Sequence, residues 1–149
     1  MAAPVTTVYN NAPKHIDDDV DWSADTIKVT LHSSSYTFSA THEFFSSITN
    51  ELTTANGYTA GGATLGTKSR TVTGAVTAYK AAATTWTPGA AETLTARYAV
   101  VRKDTGTPST SPVLICVLLD SAPADKSASN AAFTLTWDST DGVFKITAS

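Results

Sequence analysis

The chain of 149 residues is 42% hydrophobic and only 15% charged, with a net charge of −3 and 27 threonines. This length suits one domain with its own hydrophobic core, and the excess of β-branched threonine favours strands over helices. The ten bases are scattered, and no run of about 18 apolar residues occurs that could span a membrane. We therefore expect binding neither to nucleic acid, which needs a clustered basic surface, nor to membranes.

The first 22 residues lack hydrophobic periodicity and contain Pro4, Pro13 and the acidic run Asp17-Asp18-Asp19. Such a segment predicts an extended N-terminal arm at 1–22, followed by a single β-sandwich domain at 23–149. We interpret the acidic run as a solvated stretch that docks on a basic patch of a partner. A loosely built calcium site is the alternative for these carboxylates.

Three elements are predicted after the arm. Alternating apolar and polar side chains predict the first strand at Thr26–Leu31. The apolar residues of Thr41–Leu52 recur at helical spacing and predict one short helix. The glycines that follow it predict a loop at 53–67.

Six further strands are predicted from short apolar or threonine-rich segments bounded by Gly, Pro, Ser or Asp. The unbroken apolar run 113–119 should be buried on both sides and should form the centre of the core. The turn Asp138–Gly142 predicts a hairpin between the last two strands. About seven strands favour an all-β fold, an antiparallel β-sandwich or jelly-roll-like domain. The six segments are Ser69–Thr73, Val76–Tyr79, Leu94–Arg102, Pro112–Asp120, Ala132–Trp137 and Val143–Thr147.

The motifs that would carry ligand binding are incomplete. The segment Gly61–Ser69 differs from a phosphate-binding loop because Thr67 stands where a lysine must follow the glycine. The acidic run matches the start of a calcium loop, but Trp22 replaces the required glycine. No histidine has a partner at metal-ligand spacing. We interpret His15, His32 and His42 as surface or capping residues.

No nucleophile for catalysis is evident. Cys116 lies within the apolar run, where burial hides a thiol, and the chain has no Gly-x-Ser-x-Gly elbow. We therefore predict a non-enzymatic protein with no catalytic residue, no cofactor and no metal site. Trp137 is expected in the core, whereas Trp22 and Trp86 leave a carbohydrate-stacking platform open.

Eight segments carry a family resemblance through their order and spacing. They are Asp25–Leu31, His42–Phe45, Asn50–Leu52, Gly57–Gly62, Leu94–Val100, Pro112–Ile115, Phe133–Trp137 and Gly142–Phe144. Together they resemble structural proteins encoded among the head genes of tailed bacteriophages, over residues 23–149. The resemblance implies a β-rich virion protein that decorates or cements the head as a trimer between capsomers. Such a protein would lie on the capsid surface after assembly in the host cytoplasm.

The major capsid protein is then the expected partner. Two alternatives stay open: a neck, head–tail joining or tail component, and a tail-borne carbohydrate- or receptor-binding module. The first would form rings of more copies, and the second would expose Trp22, Trp86 or Tyr58 in one groove. The residues predicted to contact the capsid are Val5, Val8, Tyr9, Asp17, Asp18 and Asp19.

Overall fold

The computed structural model describes residues 4–148 and confirms an all-β, sandwich-like fold. The described residues include one α-helix, α1 at Ala12–Asp18, and two 3₁₀ turns, Phe45–Ser47 and Pro108–Thr110. The strands are β1 Val5–Val8, β2 Ile27–His32, β3 Ala63–Thr64, β4 Ser69–Thr73, β5 Val76–Lys80, β6 Thr84–Trp86, β7 Thr93–Ala96, β8 Tyr98–Lys103, β9 Val113–Leu118, β10 Lys126–Ser129, β11 Phe133–Leu135 and β12 Phe144–Thr147.

A five-stranded antiparallel sheet in the order β1-β9-β8-β2-β3 forms the centre of the molecule. Strand β9 lies between β1 and β8, and its residues Val113–Val117 are all at most 3% exposed. Such burial on both faces is what an unbroken apolar strand requires. The predicted central position of residues 113–119 is therefore confirmed.

Smaller antiparallel sheets pack against this sheet through one continuous hydrophobic core. They have the orders β12-β5-β4, β11-β6 and β10-β7. Trp22 connects the N-terminal segment to the sheet β12-β5-β4. Its indole lies edge-on to Tyr79 and Phe144, and its Nε1–H donates to the Lys80 carbonyl at 2.9 Å. The Tyr79 and Phe144 rings stack with centroids 4.5 Å apart, so three aromatic rings close this end of the core.

Residues 4–22 are not an extended arm. Strand β1 pairs with β9, and the chain then enters helix α1, with Pro13 in its first turn. Ala12, Ile16 and Val20 join the core cluster. A seven-residue helix is too short to show a periodic pattern, and its stability comes from packing its apolar side.

The predicted helix at Thr41–Leu52 is wrong, apart from the 3₁₀ turn at Phe45–Ser47. The Phe45 N–H donates to the Ser111 carbonyl at 2.8 Å, and the Leu52 N–H donates to the Leu31 carbonyl at 2.9 Å. These backbone groups are therefore used between distant segments. Tertiary pairing overrides the helical spacing of the apolar residues.

The predicted C-terminal hairpin is also wrong in its pairing. The turn is present, because the Asp138 carboxylate accepts the N–H groups of Thr140 and Asp141 at 2.7 Å each. The flanking strands nevertheless separate: β11 pairs with β6, and β12 pairs with β5. Aspartate explains the local turn, whereas the strand partners are set by distant residues.

Gly62 provides a test of the packing around the central sheet. It has φ +79°, and a Cβ there would overlap the backbone carbonyl of Val29, whereas Gly61 at φ +94° has open space around it. We expect Gly61→Ala to lower the unfolding free energy by about 1–2 kcal/mol through backbone strain. Gly62→Ala should lower the unfolding free energy by about 1–3 kcal/mol more than Gly61→Ala does, because its Cβ also overlaps the Val29 carbonyl. Urea unfolding of both variants measures the difference, and equal losses would contradict the packing role.

Candidate interaction surface

Strand β1 is the free edge of the five-stranded sheet and carries two of the predicted contact residues. Val5 is 46% exposed and Val8 is half-buried. Tyr9, directly after the strand, is only 1% exposed, and its hydroxyl lies 2.9 Å from that of Tyr36. Burial raises the pKa of Tyr9 far above its ordinary value. Tyr9 is therefore a core residue and not a contact residue.

The pairing of β1 with β9 determines which backbone groups stay free. The Tyr9 N–H donates to the Leu114 carbonyl at 3.1 Å. In an antiparallel pair, alternate residues form such bonds. Thr6 and Val8 therefore direct their N–H and C=O groups toward the free edge, where a further strand can add.

A groove follows the free edge of β1 on the side of β11 and β12. It consists of three cavities in a row: a middle one of about 290 Å³, which shares Pro4 and Leu135 with one of about 170 Å³ and shares Thr6 and Asp138 with another of about 290 Å³. Apolar side chains form much of its lining, and all of them except the half-buried Val8 and Trp137 are at most 4% exposed. These are Val8, Val117, Leu119, Phe133, Leu135, Trp137, Val143 and Phe144.

The two ends of this groove carry opposite charges. Lys126 lies at one end, and Asp138 and Asp141 lie at the other, where Lys145 pairs with Asp141 at 2.8 Å. Hydrogen bonds from the backbone N–H groups that follow it lower the pKa of Asp138. The groove therefore combines an apolar lining with charged ends, as protein-binding surfaces do.

A second surface gathers the acidic residues around the end of α1. Asp17, Asp18, Asp19, Asp21 and Asp25 line a cleft of about 730 Å³. Its other walls include Arg70 and Lys103. The sequence identified this acidic surface but not the basic residues beside it, because β4 and β8 bring those from distant positions.

Most of these carboxylates have structural partners. Asp19 lies 2.8 Å from His15, and Asp25 lies 2.9 Å from Lys103. Burial acts to raise the pKa of Asp25, but hydrogen bonds from Lys103 and the Asp21 N–H lower it below its usual value. Across residues 4–148, no three His, Cys, Asp or Glu side chains come together as a metal site.

Asp17 and Asp18 differ from their neighbours. Both are exposed, and their side chains form no hydrogen bond or ion pair within the part of the chain that the structure describes. Both carboxylates therefore stay solvated. They are the members of the predicted acidic contact set that stay available to a partner.

Two of the histidines are buried, contrary to the prediction. His15 is 4% exposed and lies between the Asp19 and Glu43 carboxylates, at 2.8 and 3.1 Å. His32 is fully buried; its Nδ1 lies 2.9 Å from the Thr49 carbonyl. Both serve as hydrogen-bonding core residues, a role that neither spacing nor composition indicates.

The aromatic residues do not form the platform that a carbohydrate-binding module would need. Trp22, Trp86 and Tyr58 are 3%, 6% and 2% exposed. Trp137, expected in the core, is half-buried and lines the groove beside β1. Stacking on a sugar requires an open ring face, so the three residues proposed for it do not supply one.

Cys116 is buried beside Tyr9 in the central sheet. Burial raises the pKa of its thiol to about 12. A protonated thiol without solvent access is a poor nucleophile, which agrees with its interpretation as a core residue.

Strand β4 was not predicted as a contact strand, yet it is the most exposed of the described strands. All five of its residues are exposed, and Val72 is 64% exposed. Its outer edge is unpaired, since β4 ends the order β12-β5-β4. Its alternation of polar residues with a single valine is too weak a signal to indicate a contact strand.

No protein-family model, curated protein or solved structure matches this chain. Among residues 4–148 no helix has the length and apolar character needed to cross a membrane.

Replacing His32 by asparagine should weaken the acid sensitivity of folding. Burial holds the pKa of His32 below 6.5, whereas in the unfolded chain the imidazole titrates near its ordinary value. The unfolded state therefore binds more protons as the pH falls through about 6.5, and the unfolding free energy decreases. Asparagine does not titrate, so its stability deficit relative to wild type should shrink from about pH 8 to about pH 5.

Urea unfolding at both pH values measures this deficit. Leu31→Ala, which removes a neighbouring core side chain without a titratable group, is the control and should show a constant deficit. A constant deficit for His32→Asn as well would contradict the assignment.

Proposed function

We propose that this chain is a non-enzymatic virion structural protein of a tailed bacteriophage that decorates or cements the capsid surface. The observation that carries this proposal is the free edge of β1 beside an apolar groove with charged ends. Unpaired strand edges and apolar grooves recognise other polypeptides through backbone bonds and side-chain pockets. The resemblance of residues 23–149 to phage head proteins supplies the biological setting.

The burial and bonding of the potentially reactive side chains support a protein-binding function rather than catalysis. Cys116 is buried, Asp19 is hydrogen-bonded to His15, and Asp25 forms an ion pair with Lys103. His32 is enclosed by hydrogen bonds from within the fold. Side chains held in these contacts stabilise the fold, and we propose no catalytic role for them.

The proposed partner is the major capsid protein, and three copies of this chain are proposed to act together. Val8 offers backbone groups at the free edge, Val5 offers an exposed apolar side chain, and Asp17 and Asp18 offer exposed negative charge for a basic patch. Because β1 is already ordered on β9, docking would not require the backbone ordering of about 1–2 kcal/mol per residue that a free arm would need. Repetition over the lattice would add avidity.

A ring-forming neck or tail component is the second candidate. Free edges on both β1 and β4 favour it, because unlike edges can join copies head to tail. Decoration predicts many copies spread over the head, whereas a neck or tail ring predicts six or twelve copies at one position. The location in virions therefore separates the two candidates.

Immunogold labelling of purified virions, with quantitative mass spectrometry, tests the proposal. We expect label over the whole head and a copy number in the hundreds. Label confined to the head–tail junction or the tail would replace decoration by the second candidate. Absence of the protein from virions would refute both.

Neutralising Asp17 and Asp18 should weaken capsid binding. We expect Asp17→Asn with Asp18→Asn to reduce affinity for heads that lack the protein by about tenfold, at low salt, because two charges facing a basic patch are removed. Sedimentation with such heads measures the affinity.

The control removes the same amount of charge elsewhere, with Glu92→Gln and Asp125→Asn. Asp125 is exposed and Glu92 is half-buried, and neither lines the acidic cleft or the groove beside β1, so the control should bind as the wild type does. Equal losses in the two double variants would contradict a local role for the acidic surface.

A further inference from the structure

Within the described residues, Val5 and Val72 are the only large apolar side chains that are exposed, at 46% and 64%. Each lies on an edge strand, Val5 on β1 and Val72 on β4. A single exposed valine is ordinary. Two that coincide with unpaired edges are informative, because an edge presents free N–H and C=O groups beside the apolar side chain.

The outward groups of β4 follow from the pairing of β5. The Val143 N–H donates to the Tyr79 carbonyl at 2.7 Å, so Tyr79 turns its backbone away from β4. Tyr79 lies opposite Arg70 in the register of β4 and β5. By the alternation of antiparallel strands, Arg70 and Val72 therefore direct their N–H and C=O groups to the free edge.

The free edges of β1 and β4 lie on different margins of the molecule. The edge of β1 faces β12 across the groove, where Thr6 and Val8 share a cavity with Phe144. Strand β5 separates β12 from β4. A contact between the two edges must therefore join different copies head to tail, and such contacts close into a ring when the rotation permits.

We propose that β4 of one copy adds antiparallel to β1 of the next, with Val72 opposite Thr6 and Arg70 opposite Val8. Both pairs consist of residues whose backbone groups point to a free edge, so each pair can exchange two hydrogen bonds. Directly opposite residues place their side chains on the same face of a sheet. Val72 and Arg70 would then both enter the groove that Thr6 and Val8 line.

The chemistry of the groove fits these two side chains. Thr6 shares a cavity with Leu135 and Trp137, of which the half-buried Trp137 offers Val72 an apolar contact. Val8 shares a cavity with Asp138, which accepts two backbone N–H groups, and with Asp141, which pairs with Lys145; each carboxylate can accept a further hydrogen bond from a guanidinium.

Charge determines the direction of the added strand. Arg70 lines the acidic cleft of its own copy, but it forms no ion pair there among the described residues. The reverse direction would place Arg70 in the cavity of Thr6, where the apolar Leu135 and Trp137 accompany a single carboxylate, Asp138. Charge complementarity therefore favours the antiparallel arrangement.

This interface deepens the trimer within the proposed function and rests on it. Three copies joined by the same contact would leave neither edge exposed. The contact itself is small, so closing the ring supplies the avidity that a single edge pair lacks.

The first experiment measures molar mass in solution by light scattering, for the full chain. Thr6→Pro removes only an N–H that points to the free edge, and proline is compatible with an edge strand. We expect wild-type trimers, and we expect Thr6→Pro and Val72→Lys to raise the concentration for half-assembly at least tenfold. Thr71→Lys, on the same strand but with its backbone turned to β5, is the matched control and should assemble as the wild type does.

A second experiment tests the register through cross-linking. Opposite residues of a hydrogen-bonded antiparallel pair have Cα atoms about 5.5 Å apart, within disulfide reach. A chain carrying Thr6→Cys and Val72→Cys should form disulfide-linked trimers on mild oxidation. The control with Thr6→Cys and Thr71→Cys should not, and the buried Cys116 should stay reduced in both.

The outcomes separate this inference from the function it rests on. A monomeric wild type at about 100 µM would overturn both the interface and the trimer. Trimers that survive Thr6→Pro and Val72→Lys, and that do not cross-link, would overturn the interface alone. Cross-linked trimers from a chain that virions lack would support the interface and overturn the decoration of capsids.

Discussion

Strand β9 is apolar on both faces, and the need to cover both faces organises the rest of the structure. Residues 113–117 are at most 3% exposed. Burial of each valine or leucine side chain contributes about 1.5–3 kcal/mol, so an uncovered face would cost a large part of the stability of a domain this small. The smaller sheets cover one side of the central sheet. The segment with Tyr9, Ala12 and Ile16 folds over the other.

The same requirement explains why the N-terminal segment is part of the body. Tyr9 contacts Cys116, its N–H bonds to Leu114, and its hydroxyl bonds to Tyr36. Detaching residues 4–22 would expose Leu114 and Cys116 along with the aromatic cluster around Trp22. A segment with acidic and proline-rich composition can therefore be structural where a few large side chains anchor it. Its outer side, with Asp17 and Asp18, keeps the solvated character that the composition indicates.

Sequence reasoning predicted the features that depend on local pattern. Ser69–Thr73 is a strand with the predicted bounds, and 113–119 lies at the centre of the core. The features it missed depend on distant pairing. Phe45 and Leu52 have helical spacing, but their N–H groups bond to residues 111 and 31. Short strands such as β6 and β10 show little alternation and exist only because β11 and β7 lie beside them.

The candidate site shows the same contrast between features that follow from local sequence and features that depend on distant pairing. Val5, Asp17 and Asp18 are exposed, as a contact role requires, and the exposure of the two aspartates follows from a run of charges that a core does not accommodate. Burial of Tyr9 depends on its partner Tyr36, 27 residues away. The groove depends on β1 meeting β11 and β12, which are more than 120 residues away along the chain. A surface built from both termini has no local signature, so only the fold could reveal it.

Open edges on a β protein are a hazard, because any exposed strand can extend them, and the edges of β1 and β4 limit that hazard by their size and chemistry. Strand β1 has four residues and follows Pro4, and β4 has five and ends at the turn of Gly74. Each edge presents the backbone groups of two residues, and β4 carries Arg70 on the face that would have to be buried. An arbitrary hydrophobic strand would gain few hydrogen bonds there and would meet an unpaired charge. A partner with carboxylates at the matching position avoids that cost, so the charge selects for a particular partner while the short edge keeps a single contact weak.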